Sequence, residues 1–193
     1  MKATAVIAIA ALVALPGCGA LVTQSPGAGL SPVNAVDDGP DRRLILRGTD
    51  VVSFFTDGKR EAGAASIKSE YKGVTFRFAT AEHKAMFDRT PEKYVPQFGG
   101  YCTNGIVYGI PLGGDVPEWE IIGGKLYMFG GHGSHDAFRL DPARNMVLAQ
   151  KYWDEEVNGS NAFVQLAKRL VFLRVPHYKT GKELREEVER GKK

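Results

Sequence analysis

The chain has 193 residues, 44% of them hydrophobic and 24% charged, which is the composition of one globular domain large enough to bury its own core. A formal net charge of +3 is too small to argue for a nucleic-acid partner, and none is expected. Two cysteines are too few for a disulfide-built scaffold.

Lys2 precedes a continuous apolar run from Ala5 to Leu15, followed by Leu15-Pro16-Gly17-Cys18. The run is too short to span a bilayer and reads as a signal peptide over residues 1–17. A cysteine placed there resembles the lipobox of bacterial lipoproteins. That resemblance implies a lipidated Cys18, membrane lipid as a partner, and a cell-envelope location facing the periplasm. Gly19 favours the outer membrane in a Gram-negative host. A plain signal peptide, giving a soluble periplasmic or secreted protein, is the alternative. Residues 18–41 are rich in Gly, Pro, Ala and Ser and read as a flexible tether. With Cys18 lipidated, Cys102 is the only thiol of the mature chain, and no internal disulfide forms.

The folded part is expected from about Arg42. Leu44-Ile45-Leu46 is a short apolar run, Gly48-Thr49-Asp50 a turn, and Val51 to Phe55 a strand by its β-branched and aromatic content. Asp57-Gly58 is a turn, and residues 61–68 read as loop. Over residues 69–78 a strand pair or bent strand is expected, with Lys72-Gly73 turning and Val74, Phe76 and Phe78 on one face. Thr80 is a helix N-cap, Phe87 pins that helix to the sheet, and Pro91 stops it. Gly99-Gly100 predicts positive φ or a close backbone approach beside Cys102.

These residues carry a resemblance. The run Gly48 to Lys59, then Tyr71-x-Gly73-x-Thr75-Phe76-x-Phe78-Ala79, Phe87, Pro91, and Lys93-Tyr94-x-Pro96-Gln97-Phe98-Gly99-Gly100-Tyr101-Cys102 resemble bacterial YHS-domain proteins of the secreted or lipoprotein branch. Trp119, Leu126-Tyr127 and Trp153 extend the likeness over roughly residues 44 to 167. It implies an α+β fold, a small antiparallel sheet with hairpins packed by a few helices, over residues 42–160. A helical extension follows over 161–193. Some branches of that family are associated with heavy metals through a cysteine near the opening strand and a Cys-x-x-x-Cys pair at the helix start. Here Asp50-Val51-Val52 holds no cysteine, and Ala79 and His83 stand where the pair would be. His83 is the one residue left there that can ligate. The Gly99-Gly100-Tyr101-Cys102 motif is shared with secreted members.

Beyond Cys102, Ile106-Val107-Tyr108 suggests a short strand. Gly123-Gly124 joins two apolar runs as a tight hairpin. The segment Gly130 to Pro142 departs from the family pattern as a glycine-rich loop carrying His132, His135 and Asp136, a set able to bind zinc or copper. Asp141-Pro142 opens a helix that runs to Trp153, and Asn158-Gly159 breaks it. Phe163, Leu166, Ala167, Leu170 and Leu173 form a predicted inward stripe, and Thr180-x-x-Glu183 a capping box. From Lys168 onward, nine Lys or Arg stand against four Glu, a net +5 on a solvated tail or a membrane-facing one. Trp119, Tyr127 and Trp153 are expected in the core.

Cys102 is read as a core residue, a ligand or a redox thiol. No phosphate loop, nucleophile elbow or zinc-protease helix is present, so catalysis is not expected. The expected function is a non-catalytic envelope module binding a metal, copper or zinc, or a small ligand through residues drawn from Cys102, His83, His132, His135 and Asp136. A ligand-free scaffold lipoprotein and a thiol redox protein are the alternatives.

Overall fold

A computed structural model describes residues 29–191. The signal peptide, Cys18 and the first part of the tether lie outside the described residues. The fold is α+β, as the sequence predicts. One sheet has the order β1-β2-β4-β3, from β1 (Ala35–Asp38), β2 (Asp41–Ile45), β3 (Ala64–Tyr71) and β4 (Val74–Phe78). β1 with β2 and β3 with β4 are antiparallel, but β2 lies parallel to β4, pairing Leu44 with Thr75. The sheet is therefore mixed rather than purely antiparallel. β5 (Glu118–Ile122) and β6 (Lys125–Phe129) form the separate hairpin, with Gly123 and Gly124 both at positive φ, 58° and 76°.

The tether prediction fails over residues 29–41. Val33 and Ala35 are buried in the core, and Ala35 begins the edge strand. Asn34 donates through Nδ2 to the Gly100 and Gly114 carbonyls at 3.1 Å each, and its Oδ1 accepts from Gly114 N–H. Small and polar residues here serve close packing and backbone hydrogen bonding, which composition alone does not distinguish from a linker.

Val51–Phe55 is not a strand. Asp50 Oδ1 accepts the Val52 N–H at 2.9 Å, and this Asx turn leads into a helical turn, α1 (Ser53–Thr56). The burial that favoured a strand is real, since Val51, Val52 and Phe54 are all inside. Residues 64–68, expected as loop, are the first half of β3. β4 alternates as predicted, with Val74, Phe76 and Phe78 buried.

α2 (Ala81–Arg89) starts at Thr80, whose Oγ1 accepts the His83 N–H at 3.0 Å. Phe87 packs on Phe76 and Phe78 at ring separations of 4.6 and 5.1 Å. α3 (Pro91–Tyr94) is one turn. Gly99 (φ 59°) and Gly100 (φ 75°) follow, and a Cβ on Gly99 would lie 2.3 Å from the Pro32 carbonyl oxygen. Both expectations for this pair, positive φ and close approach, hold.

Ile106-Val107-Tyr108 is not a strand either. The Cys102 carbonyl accepts from Gly105 and Ile106, forming the turn α4 (Thr103–Ile106). The glycine-rich stretch after the hairpin is also ordered, as α5 (His132–Arg139). It forms because His135, Ala137 and Phe138 share a buried face, which outweighs the helix penalty of Gly133.

Asp141 caps α6 (Pro142–Tyr152), which ends in a π turn over Trp153–Val157. α7 (Ala162–Ala167) continues into another π turn, Lys168–Phe172. The predicted stripe of this helix is rotated. Ala162 and Gln165 are buried, and Leu166 and Leu170 pack against the core, but Phe163 and Leu173 are 63% and 59% exposed. Gln165 turns inward because its amide nitrogen Nε2 donates to the Gly109 carbonyl and to Glu156 at 3.1 and 3.0 Å. The π turn then adds a residue to the helical repeat and shifts everything after it. α8 (Gly181–Gly191) has the predicted capping box, Thr180 and Glu183 hydrogen-bonding reciprocally.

Two apolar cores result, and β6 is the wall between them. Leu126 and Met128 face the core of the four-stranded sheet; Tyr127 and Phe129 face a second core with Phe138, Tyr152 and Val157. Period-two alternation thus serves two interiors. Ala162 and Val175 belong to the second core, so residues after 160 complete the body and are not an appended extension. Trp119 packs on Phe54 and Trp153 on Phe98, both partly buried against the edges of the two cores.

Candidate functional site

The five side chains read from the sequence as ligands are divided among three places. Cys102 is buried, with Sγ 3.0 Å from Ser134 Oγ and accepting the Gly130 N–H at 3.3 Å. Neither partner is a base, so the acid–base arrangement that activates a thiol is not assembled there. His132 is an exposed residue beside Glu118, with Nε2 to Oε1 at 3.3 Å. His135 is buried; its ring stacks on Phe129 at 4.2 Å, and Nε2 meets Glu120 Oε2 at 2.9 Å. Asp136, half-buried on the same helix, interacts electrostatically with Arg139. His132 and His135 face different carboxylates and do not converge on one point. Tyr101, from the Gly-Gly-Tyr-Cys motif, is a core residue whose hydroxyl donates to the Val33 carbonyl at 3.1 Å.

His83 is different. It lies on the first turn of α2, buried, with its ring against the loop that contains α1. That loop is closed by local hydrogen bonds. Asp50 N–H donates to the Glu61 carbonyl at 2.9 Å, and Gly63 N–H to Gly48 at 2.8 Å. Buried Ser53 sits inside it, with Oγ 2.8 Å from the Asp50 carbonyl and 2.9 Å from that of Lys59. The loop therefore holds Asp50, Asp57 and Glu61 in fixed relation to His83.

Asp50 is fully buried and accepts three hydrogen bonds. Val52 N–H reaches Oδ1, while Ala79 N–H and His83 Nδ1 both reach Oδ2 at 2.7 Å. An acceptor-only carboxylate fixes Nδ1 as the protonated nitrogen of His83. In the neutral ring, Nε2 then carries the lone pair, and it faces Thr56 Oγ1 at 3.2 Å and Asp57 Oδ2 at 3.8 Å.

One atom each from Asp57, Glu61 and His83 lies within 4.8 Å of the others. Donors around a zinc-sized ion, each about 2.0–2.2 Å from it, are roughly 3–4 Å apart, so a small contraction of this trio would enclose one. The mix of imidazole and carboxylate suits a borderline divalent ion. The buried Asp50 behind the ring is the outer partner that metal-bound histidines usually have. A lysine is the local competitor: Lys59 Nζ lies 2.5 Å from Glu61 Oε1. The hydrogen bond to Glu61, then the charges of Glu61 and Asp57, raise the Lys59 pKa.

Sequence reasoning found His83 and missed Asp50, Asp57 and Glu61. In the sequence Asp57 shows only as a turn residue beside Gly58. The available signal was the spacing of acids on either side of that turn, Asp50, Asp57 and Glu61, together with a histidine three residues past the helix cap Thr80. Comparison with protein-family models, with curated proteins and with solved structures finds no match to the chain.

Proposed function

We propose that this protein is a non-catalytic, lipid-anchored module of the cell envelope, of YHS-like kind, that binds a divalent metal ion through His83, Asp57 and Glu61. The observation that carries the reading is the orientation of His83. Its Nδ1 is clamped by a buried carboxylate, and its Nε2 faces the Asp57 carboxylate at 3.8 Å, with Glu61 completing a trio whose ligand atoms lie within 4.8 Å of one another. The three residues would hold the ion, and Asp50 would fix the tautomer and the orientation of the imidazole. Zinc or copper(II) suits that donor set.

The anchor part of the proposal rests on residues 1–18. Among the described residues no helix is long and apolar enough to cross a membrane. Lipidation at Cys18 would supply the attachment, with two or more acyl chains needed for a stable one.

The test is a calorimetric titration of the full chain, purified in detergent without an affinity tag, with zinc and with copper(II). One bound ion is expected in the wild type and in Cys102→Ala, and none in His83→Ala. Stoichiometric binding that survives His83→Ala but is lost in a His132→Ala/His135→Ala variant would overturn this assignment. The Lys59–Glu61 contact favours one competing reading, a purely structural ion cluster in a scaffold protein, for which no variant would bind metal.

A further inference from the structure

A second site lies on the other core. Residues of α4, the start of α5, Leu170 of the Lys168–Phe172 π turn and α8 line a cleft of about 390 Å³. That is within the range of small-molecule pockets. Its walls include Ile110, Leu170 and Leu184, so most of its surface is apolar.

Three polar groups on the cleft have no hydrogen-bond partner among the described residues. Asn104 is 6% exposed, and its carboxamide pairs with nothing. Tyr108 is 8% exposed; its ring is held by His177 and Tyr178, but its hydroxyl is unpaired. Arg185, at the rim on α8, has no ion pair, whereas neighbouring Lys179 is bound to both carboxylate oxygens of Glu187 at 2.7 Å. Buried amides and hydroxyls are nearly always paired, because each unpaired one is costly. Among the described residues the one fully enclosed side-chain oxygen without a partner is Thr103 Oγ1; the largely buried Asn104 and Tyr108 instead line the cleft, where their polar atoms stay within reach of water or a ligand, with the Arg185 guanidinium at the rim.

The geometry points to this cleft as a binding site for a small organic anion with an apolar body, such as a carboxylate on an aromatic or short aliphatic frame. The hydrocarbon part fits the Ile110–Leu170–Leu184 walls. The guanidinium of Arg185 takes the anionic end, in the charge-assisted geometry that arginine offers to carboxylates. Asn104 and Tyr108 supply the orienting hydrogen bonds. Burial, followed by the charge of Glu187, pushes the Tyr108 phenol up to about 12, so it remains a neutral donor throughout the physiological range. Ser134 lines the cleft while its hydroxyl contacts Cys102 Sγ, which places the buried thiol behind the wall. The site shares no residue with the His83 cluster, so the two proposals stand or fall separately.

The probe is 2-naphthoate, with 2-naphthamide as its neutral counterpart. Binding to the full chain is followed by calorimetry and by amide chemical shifts. Naphthoate is expected to shift resonances of residues 104–110 and 181–185 and to bind about tenfold or more tightly than naphthamide, the value of one charge-assisted contact. Arg185→Glu, an exposed substitution that leaves the core intact, should remove that preference. Asn104→Leu should weaken both probes by about three- to tenfold. His83→Ala should leave naphthoate binding unchanged. Equal affinity for the two probes, shifts confined to other regions, or undiminished naphthoate binding by Arg185→Glu would overturn the proposal.

Discussion

Two buried histidines are each paired with a carboxylate, and they differ in which nitrogen is used. At His83, Nδ1 is bonded to Asp50, and Nε2 faces Thr56 and Asp57, with Glu61 alongside in the same cluster. At His135, it is Nε2 that meets Glu120, which also accepts from Arg139 at 3.0 and 3.3 Å, while the ring is stacked on Phe129. Burial acts to raise the Glu120 pKa, but hydrogen bonds from Arg139 and His135 outweigh it and hold the carboxyl below its ordinary value. Glu120 is therefore already neutralised by a cation of the protein. A histidine–carboxylate pair is therefore not in itself a metal site. What matters is whether the outward nitrogen meets further donors or is consumed by a structural bond.

The largest effect is expected at Asp50. Replacing it with alanine strands two backbone N–H groups and the His83 Nδ1–H in the interior, and should cost about 3–5 kcal/mol in urea denaturation while abolishing metal uptake. If stability is unchanged, the clamp on His83 is not as described.

Acid titration probes a third carboxylate of the Glu120 type. Burial tends to raise the Glu156 pKa, yet hydrogen bonds from Arg169, Gln165 and Lys168 bring it down to about 2 from an ordinary 4.5. A depressed pKa means that its stabilisation is complete above about pH 4.5 and is lost as the pH falls toward 2. Glu156→Gln should remove about 2–3 kcal/mol at neutral pH and flatten the acid limb of the stability curve. An unaltered acid limb would contradict the clustering.

Glu120→Gln should cost less, about 1 kcal/mol, because that side chain is part-exposed, and it should leave zinc binding intact. The smallest effect sharpens the His83 side: Lys59→Ala removes the competing ammonium and should tighten zinc binding by about two- to fivefold. A weaker zinc affinity in that variant would show that Lys59 supports the cluster rather than competing with the ion.

What the sequence displayed were features settled within a few residues. The Thr80 and Asp141 caps, the Thr180–Glu183 box and the Gly123-Gly124 hairpin are set by local hydrogen bonds and by φ, so residue types report them directly. The α+β class followed from them. The misread segments were settled by burial at a distance. Val51–Phe55 has strand-like residues, but the Asx turn at Asp50 bends it into a helical turn, with Phe54 against Trp119 from a hairpin far along the chain. Residues 132–139 look like a loop by glycine content, yet Phe138 and His135 have Phe129 to cover.

The sites were legible to a lesser degree. His83 stood out only through the resemblance, as the one residue able to ligate where the family's cysteine pair would be, and the acids around it are ordinary polar residues until the loop closes. Asn104 and Tyr108 carry no sequence signal, because an unpaired polar group is a property of its surroundings.

The most direct measurement is a long-range proton–nitrogen correlation spectrum of the histidine rings in the full chain, recorded as zinc is added. The account predicts that His83 Nε2 shifts with one equivalent of zinc while its Nδ1 keeps its proton, and that the ring nitrogens of His132, His135 and His177 stay in place. A zinc-dependent shift at His132 or His135 with His83 unmoved, or no histidine shift at all, would contradict it.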